Sequence, residues 1–140
     1  MTTIRISACV ITRPDGALLL VRKRGTERFM QPGGKQEPGE SPAATAVREV
    51  AEELGLHLTQ ADLAAWGEFS EVAANEPGHR VEAHAFHAEV SAAVANRLRP
   101  RAELEEAVWV QPAEARSLPL APLTEVHLLP LLTRISGTDA

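Results

Sequence analysis

From residue 4 to residue 12 the chain alternates with period two: Ile4, Ile6, Ala8 and Val10 interleave with Arg5, Ser7, Cys9 and Ile11. That is the spacing of a β-strand. Pro14-Asp15-Gly16 then reads as a turn, and Ala17 to Val21 is an unbroken apolar run, as expected of a strand covered on both faces. The two strands should pair as a hairpin. Arg22, Lys23 and Arg24 end the second strand, residues 25–31 read as a polar loop, and Pro32-Gly33-Gly34 breaks regular structure. At Ser41 the period changes. Ser41 followed by Pro42 is a helix start, Gly55 is the matching stop, and Ala43, Val47, Val50 and Leu54 form an apolar stripe between them. Strands are predicted over 66–74 and 80–90, joined by Asn75-Glu76-Pro77-Gly78 as a second hairpin, and over 107–111. Residues 91–101 have no clear period, 112–118 start like a short helix, and 124–136 read as a terminal helix that Pro130 kinks or divides. Strand pairs with a central helix and helices near the end predict a mixed β-sheet with helices on its faces, an α/β sandwich.

The predicted helix carries acid opposite its apolar stripe. At about 100° per residue, Glu49, Glu52 and Glu53 fall within a sector of roughly 100°. Carboxylates three and four residues apart repel, and the only opposite charge at helical spacing is Arg48, four residues before Glu52. Either this is a solvated face or something outside the helix neutralises it. A hard dication such as Mg²⁺, which takes oxygen ligands and keeps waters for a phosphate to replace, meets that need. Glycosidases also pair carboxylates, but across a cleft and from different elements.

Other candidates stand beside plainer readings. Arg22 and Arg24 are either a solvated strand end or a grip on phosphate. Gly33 and Gly34 are turn residues, places of close backbone approach to a ligand, or both. Glu103, Glu105 and Glu106 precede the 107–111 strand, and Glu103 or Glu105 is a candidate further acid. Phe29 either stacks on a base or packs as a lid. His84 and His87, three apart on a strand, point to opposite faces and do not make a metal pair. No GxSxG, Walker pattern or cysteine motif is present.

Composition narrows the field. With 140 residues, 44% hydrophobic and 24% charged, the chain suits one compact domain over 1–140. A net charge of -5 argues against a partner that is a nucleic-acid polymer and leaves a small anionic ligand open. Cys9 is the only cysteine, so no intrachain disulfide forms, and it reads as a small packed residue in a protein of a reducing compartment. The first residues lack a leader pattern and no 18-residue apolar run occurs, so the expectation is a cytoplasmic protein without a membrane partner, free to be a homodimer.

Gly34, five residues, Glu40, seven residues, Arg48-Glu49-Val50, one residue, Glu52-Glu53, one residue and Gly55-Leu56 match every fixed position of the signature of the Nudix hydrolases, and the chain resembles that family over residues 34–56. The resemblance implies a Nudix-type α/β/α sandwich that hydrolyses nucleoside diphosphates linked to another group with Mg²⁺ or Mn²⁺. It assigns Glu49, Glu52 and Glu53 to the metal and base cluster, with Glu49 the first choice as base and the Gly33 carbonyl a further metal ligand. Arg48 and Glu40 would hold loop and helix in register, with Lys35 in the same loop, and Glu103 or Glu105 lies where many relatives place an extra acid. No proline occurs between Pro42 and Pro77, and the chain has no tyrosine, which speak against the ADP-ribose and dinucleoside polyphosphate subgroups. A nucleoside or deoxynucleoside triphosphate cleaved to monophosphate and pyrophosphate is then the expected substrate. The alternatives are ADP-ribose or a related derivative and a non-catalytic nucleotide-sensing module.

Overall fold

The computed structural model describes residues 2–136. The chain runs β1 (Thr2–Thr12), β2 (Leu18–Lys23), β3 (Gly33–Lys35), α1 (Pro42–Leu54), β4 (Ala64–Val72), β5 (His79–Glu89), α2 (Ala92–Ala95), β6 (Leu104–Val110), α3 (Pro112–Ala115), a π-helical segment (Leu123–Leu128) and α4 (Leu129–Ser136). The strands form one sheet in the order β4-β5-β1-β2-β6, and β3 also pairs with β1. Both expected hairpins are present as antiparallel pairs. The centre is a parallel pair that local patterns do not announce: β1 lies against β5 from Thr2 opposite His79 to Thr12 opposite Glu89.

Strand parity separates two cores. Cys9, Ile11, Leu19 and Val21 pack on one face of the sheet with Val50 and Leu54 of α1. Ala8, Val10, Leu18 and Leu20 pack on the other with Leu123, Leu128, Leu129 and Leu132. The apolar run in β2 is therefore buried on both sides, and the architecture is the expected α/β/α sandwich around a mixed sheet.

Three local expectations are corrected, and the expected division of the terminal helix beside Pro130 is present. Gly33 and Gly34 do not break regular structure but lie in β3, opposite Ala8 and Ser7. Residues 29–32 are no solvent loop: Met30 exchanges backbone hydrogen bonds with Val21 (2.8 and 2.9 Å), and the Pro32 carbonyl accepts the Cys9 N–H (2.9 Å). The segment is wedged between β1 and β2. The buried line of α1 is Ala46, Val50 and Leu54 together with Thr45 and Glu53, while Ala43 and Val47 are half-buried. The helix is rolled towards β3, because Gly33 offers Glu53 a backbone donor. At the terminal helix, Leu129 N–H donates to Thr124 O, a five-residue π spacing, one residue before Pro130, whose ring removes a donor and crowds the preceding turn. Among the described residues no helix is long and apolar enough to cross a membrane.

Candidate active site

The Ser41 hydroxyl caps α1 by accepting the Ala44 N–H (3.1 Å), and Gly55 closes it with an N–H to Ala51 O (3.0 Å). Arg48 ties this helix to the loop before it. Its Nε donates to Glu40 Oε2 (2.6 Å) and its Nη2 to Glu40 Oε1 (2.9 Å), a bidentate pair. Nη2 also reaches the Lys35 carbonyl (3.0 Å), and Nη1 donates to Glu49 Oε1 (2.8 Å). The guanidinium, aided by the Glu37 N–H, holds the Glu40 carboxyl down to about 2. Lys35 thus contributes its backbone here.

The three glutamates expected on one face are parted. Glu53 is buried, 2% exposed, and Oε1 accepts the Gly33 N–H at 3.0 Å. Burial pushes its carboxyl up to about 8, the charge of Glu49 adds to the rise, and the Gly33 bond opposes it. Glu49 is half-buried, and burial raises its proton affinity against the pull of Arg48. Glu52 has 56% of its side chain exposed, 3.7 Å from Arg48. Two glycines make the pocket possible. Gly33 has a φ of 154°, and a Cβ there would collide with the Ser7 carbonyl oxygen. A Cβ on Gly34 would collide with the Glu49 carboxylate.

Glu49, Glu53, Gly33 and Gly34 line one end of a cleft of about 480 Å³, together with Lys23 and Glu103. Its remaining wall is largely aliphatic and includes Ile6, Val81 and Leu123, with Gln31 and Thr124. Glu103 is brought there by a clipped loop. Arg101 N–H donates to Glu53 O (2.8 Å), Arg24 N–H to Glu103 O (3.0 Å), and the Arg24 guanidinium to Ala102 O (2.7 Å). Ala102 has a φ of 54°, a strained turn held by those bonds.

Several expected contacts lie elsewhere. Arg22 pairs with Glu106 (3.0 Å), its cross-strand neighbour on β6, and donates to Thr26 O (2.7 Å). Arg24 holds the Glu103 loop. Lys23, the last residue of β2, leaves the strand on the opposite face from Arg22; it lines the cleft, as Lys35 does, and lies 3.7 Å from Glu103. Phe29 is buried in the core at 7% exposure, so it does not stack on a ligand. Glu105 is exposed within β6, outside the cleft. His84 and His87 leave opposite faces of β5, one beside Glu68 and the other stacked on Trp66. Lys23, Gln31 and Thr124 also line the cleft, and no fixed motif position marks them. The alternation Val21, Arg22, Lys23 was the available signal for the first; Thr124 and Gln31 meet only in three dimensions.

Among the described residues no three His, Cys, Asp or Glu side chains converge as a ready-made metal cage. The donor set nevertheless suits a hard cation: all ligands are oxygen, Gly34 leaves a cradle for Glu49, and the buried Glu53 carboxylate has one N–H partner for about four acceptor positions.

Comparison with known proteins gives the family. A family model described as NUDIX domain matches residues 1–132. The CTP pyrophosphohydrolase of Escherichia coli (strain K12) is 34% identical over 128 residues, 87% of this chain and 86% of that protein. The human diphosphoinositol polyphosphate phosphohydrolase 3-alpha is 48% identical over 44 residues, 31% of this chain and 27% of that one. In fold, the crystal structure of a MutT protein from Methanosarcina mazei Go1 covers 96% of both chains with a TM-score of 0.76 at 22% identity. The match of the family model over nearly the whole chain, and the 34% identity along most of a relative's length, place this protein in the Nudix hydrolase family.

Proposed function

We propose that this Nudix hydrolase is a Mg²⁺-dependent pyrophosphohydrolase of a free nucleoside or deoxynucleoside triphosphate, releasing the monophosphate and pyrophosphate. The observation that carries the reading is the joining of Glu49, Glu53 and the Gly33-Gly34 backbone at one end of a cleft sized for a small molecule. The likeness to the E. coli CTP pyrophosphohydrolase along most of its length favours a nucleoside triphosphate over other phosphoanhydrides.

Glu49, Glu53 and the Gly33 carbonyl would hold the ion, with Glu52 joining from the exposed edge and Glu103 as a further acid. Mn²⁺ would serve in its place. When bound, such an ion neutralises phosphoryl oxygens and acidifies a coordinated water. Glu53, fixed by the Gly33 N–H, is a holding group. Glu49 keeps Oε2 free of Arg48, and its raised proton affinity suits it to take the proton of the attacking water. Arg48 and Glu40 set the approach of loop to helix. Lys23 faces the same end and offsets phosphate charge.

A panel of nucleoside triphosphates, ADP-ribose and a dinucleoside tetraphosphate, each with Mg²⁺ and with separate readouts for pyrophosphate and phosphate, tests the reading. Fastest turnover on a triphosphate with pyrophosphate release is expected. Preference for ADP-ribose, or binding without turnover, would overturn it.

A further inference from the structure

Gln31 is fixed on both sides by the wedge between β1 and β2, with Met30 bonded to Val21 and Pro32 to Cys9. Its side chain turns to the face of the sheet that carries the π-helical segment. There Oε1 accepts the hydroxyl of Thr124 at 2.7 Å, and both residues are buried, 6% and 1% exposed. The other half of the amide is unspent. Among the described residues Nε2 has no hydrogen-bond partner, and it has less than 1 Å² of accessible surface. Both residues belong to the cleft wall.

A buried donor without an acceptor costs stability and needs an explanation. The position supplies one. Gln31 stands two residues before Gly33, no more than about 7 Å along an extended chain from the carboxylate end. Much of the cleft wall is aliphatic, with Ile6, Val81 and Leu123, and Asn75 and Glu76 line it as well. The charged end suits phosphates, and this end suits a flat uncharged ring. Rotation of the side chains that cover it, of the kind common on binding, opens Nε2 to a ring acceptor while Thr124 keeps its bond to Oε1.

Building on the pyrophosphohydrolase reading, we infer that Gln31 is a specificity-determining residue: its Nε2 donates to a carbonyl oxygen or ring nitrogen on the edge of the substrate's base. Thr124 is the positioning residue. By donating to Oε1 it holds the amide so that the donor, not the carbonyl, meets the ligand. Bases with an acceptor at that point are favoured, and those with an amino group there are rejected.

The test compares wild type, Q31M and Q31M/T124V on the four ribonucleoside triphosphates and on base-free ribose 5-triphosphate, with melting temperatures alongside. The double variant replaces both partners by apolar groups of similar shape, so it keeps the fold. The ratio of kcat/KM for the best nucleotide over the base-free analogue is expected to fall roughly 10–100-fold in both variants. An unchanged ratio, with both substrates slowed alike, would assign Gln31 a purely structural role and overturn the inference. If wild type shows no preference for a base, the inference also fails while the hydrolase reading stands. If wild type cleaves none of the five, the hydrolase reading fails first and removes the basis for this one.

Discussion

Glu53→Gln should make the ion-free protein more stable above neutral pH while stopping its chemistry. Glu53 is 2% exposed, and its carboxyl is pushed from an ordinary value of 4.5 up to about 8, chiefly by burial. Between those two values the native state keeps a proton that the unfolded chain releases. Stability is therefore full below about pH 4.5, falls as pH rises through the window, and levels off above about 8. One proton corresponds to about 1.4 kcal/mol per pH unit, so the step from pH 5.5 to 7.5 costs the wild type roughly 3 kcal/mol. For a chain of this size that is roughly 10 °C of melting temperature. Glutamine still accepts the Gly33 N–H through its carbonyl but has nothing to titrate. Thermal unfolding in chelator at half-unit pH steps should show the wild-type curve falling relative to the variant's by about that amount across the window, since the contribution of His87, common to both, cancels in the difference. The variant's kcat with Mg²⁺ should fall at least about 100-fold. Parallel stability curves would refute the assigned burial of charge, and a fully active variant would refute the catalytic role.

Gly34→Ala places a methyl group against the Glu49 carboxylate, so turnover should fall at least about 10-fold while urea unfolding shifts by no more than about 1–2 kcal/mol. Arg48→Lys forfeits the bidentate grip on Glu40 and cannot also reach Glu49 and the Lys35 carbonyl; kcat should fall and urea unfolding should report a loss of about 1–3 kcal/mol. Phe29→Ala should cost about 3–5 kcal/mol in the same assay without changing which base is preferred, since the ring is core. Cys9, fully buried with its thiol pushed up to about 12, should resist a thiol reagent until the protein is unfolded.

Much of the fold was legible because its signals are local. The alternation in β1, the double-sided apolar run of β2, the Ser41-Pro42 start and the Gly55 stop each report on a few neighbouring residues. The parallel pairing of β1 with β5 was not legible, because it joins distant stretches and depends on what the sheet buries on both faces. At the site, the helical wheel gathered Glu49, Glu52 and Glu53 but could not tell which edge of that sector tucks under β3. Gly33 decides it by offering an N–H to Glu53 and leaving Glu52 in solvent. The basic triplet failed for a related reason. Adjacency in sequence favours Arg22 and Arg24 alike, whereas the alternation of β2 sends Lys23 to the cleft and Arg22 to Glu106, and Arg24, past the end of the strand, turns to the Ala102 carbonyl. Phe29 likewise lies in a stretch that looks like a loop until Met30 and Pro32 are bonded into the sheet.

Calorimetric titration of the purified protein with Mg²⁺ and then Mn²⁺, in wild type and in a Glu49→Gln/Glu53→Gln double variant, tests most directly whether these carboxylates exist to hold a divalent ion. Saturable uptake at millimolar concentration or tighter by wild type, abolished in the double variant, is the predicted outcome. No uptake by wild type, or equal uptake by both proteins, would contradict it.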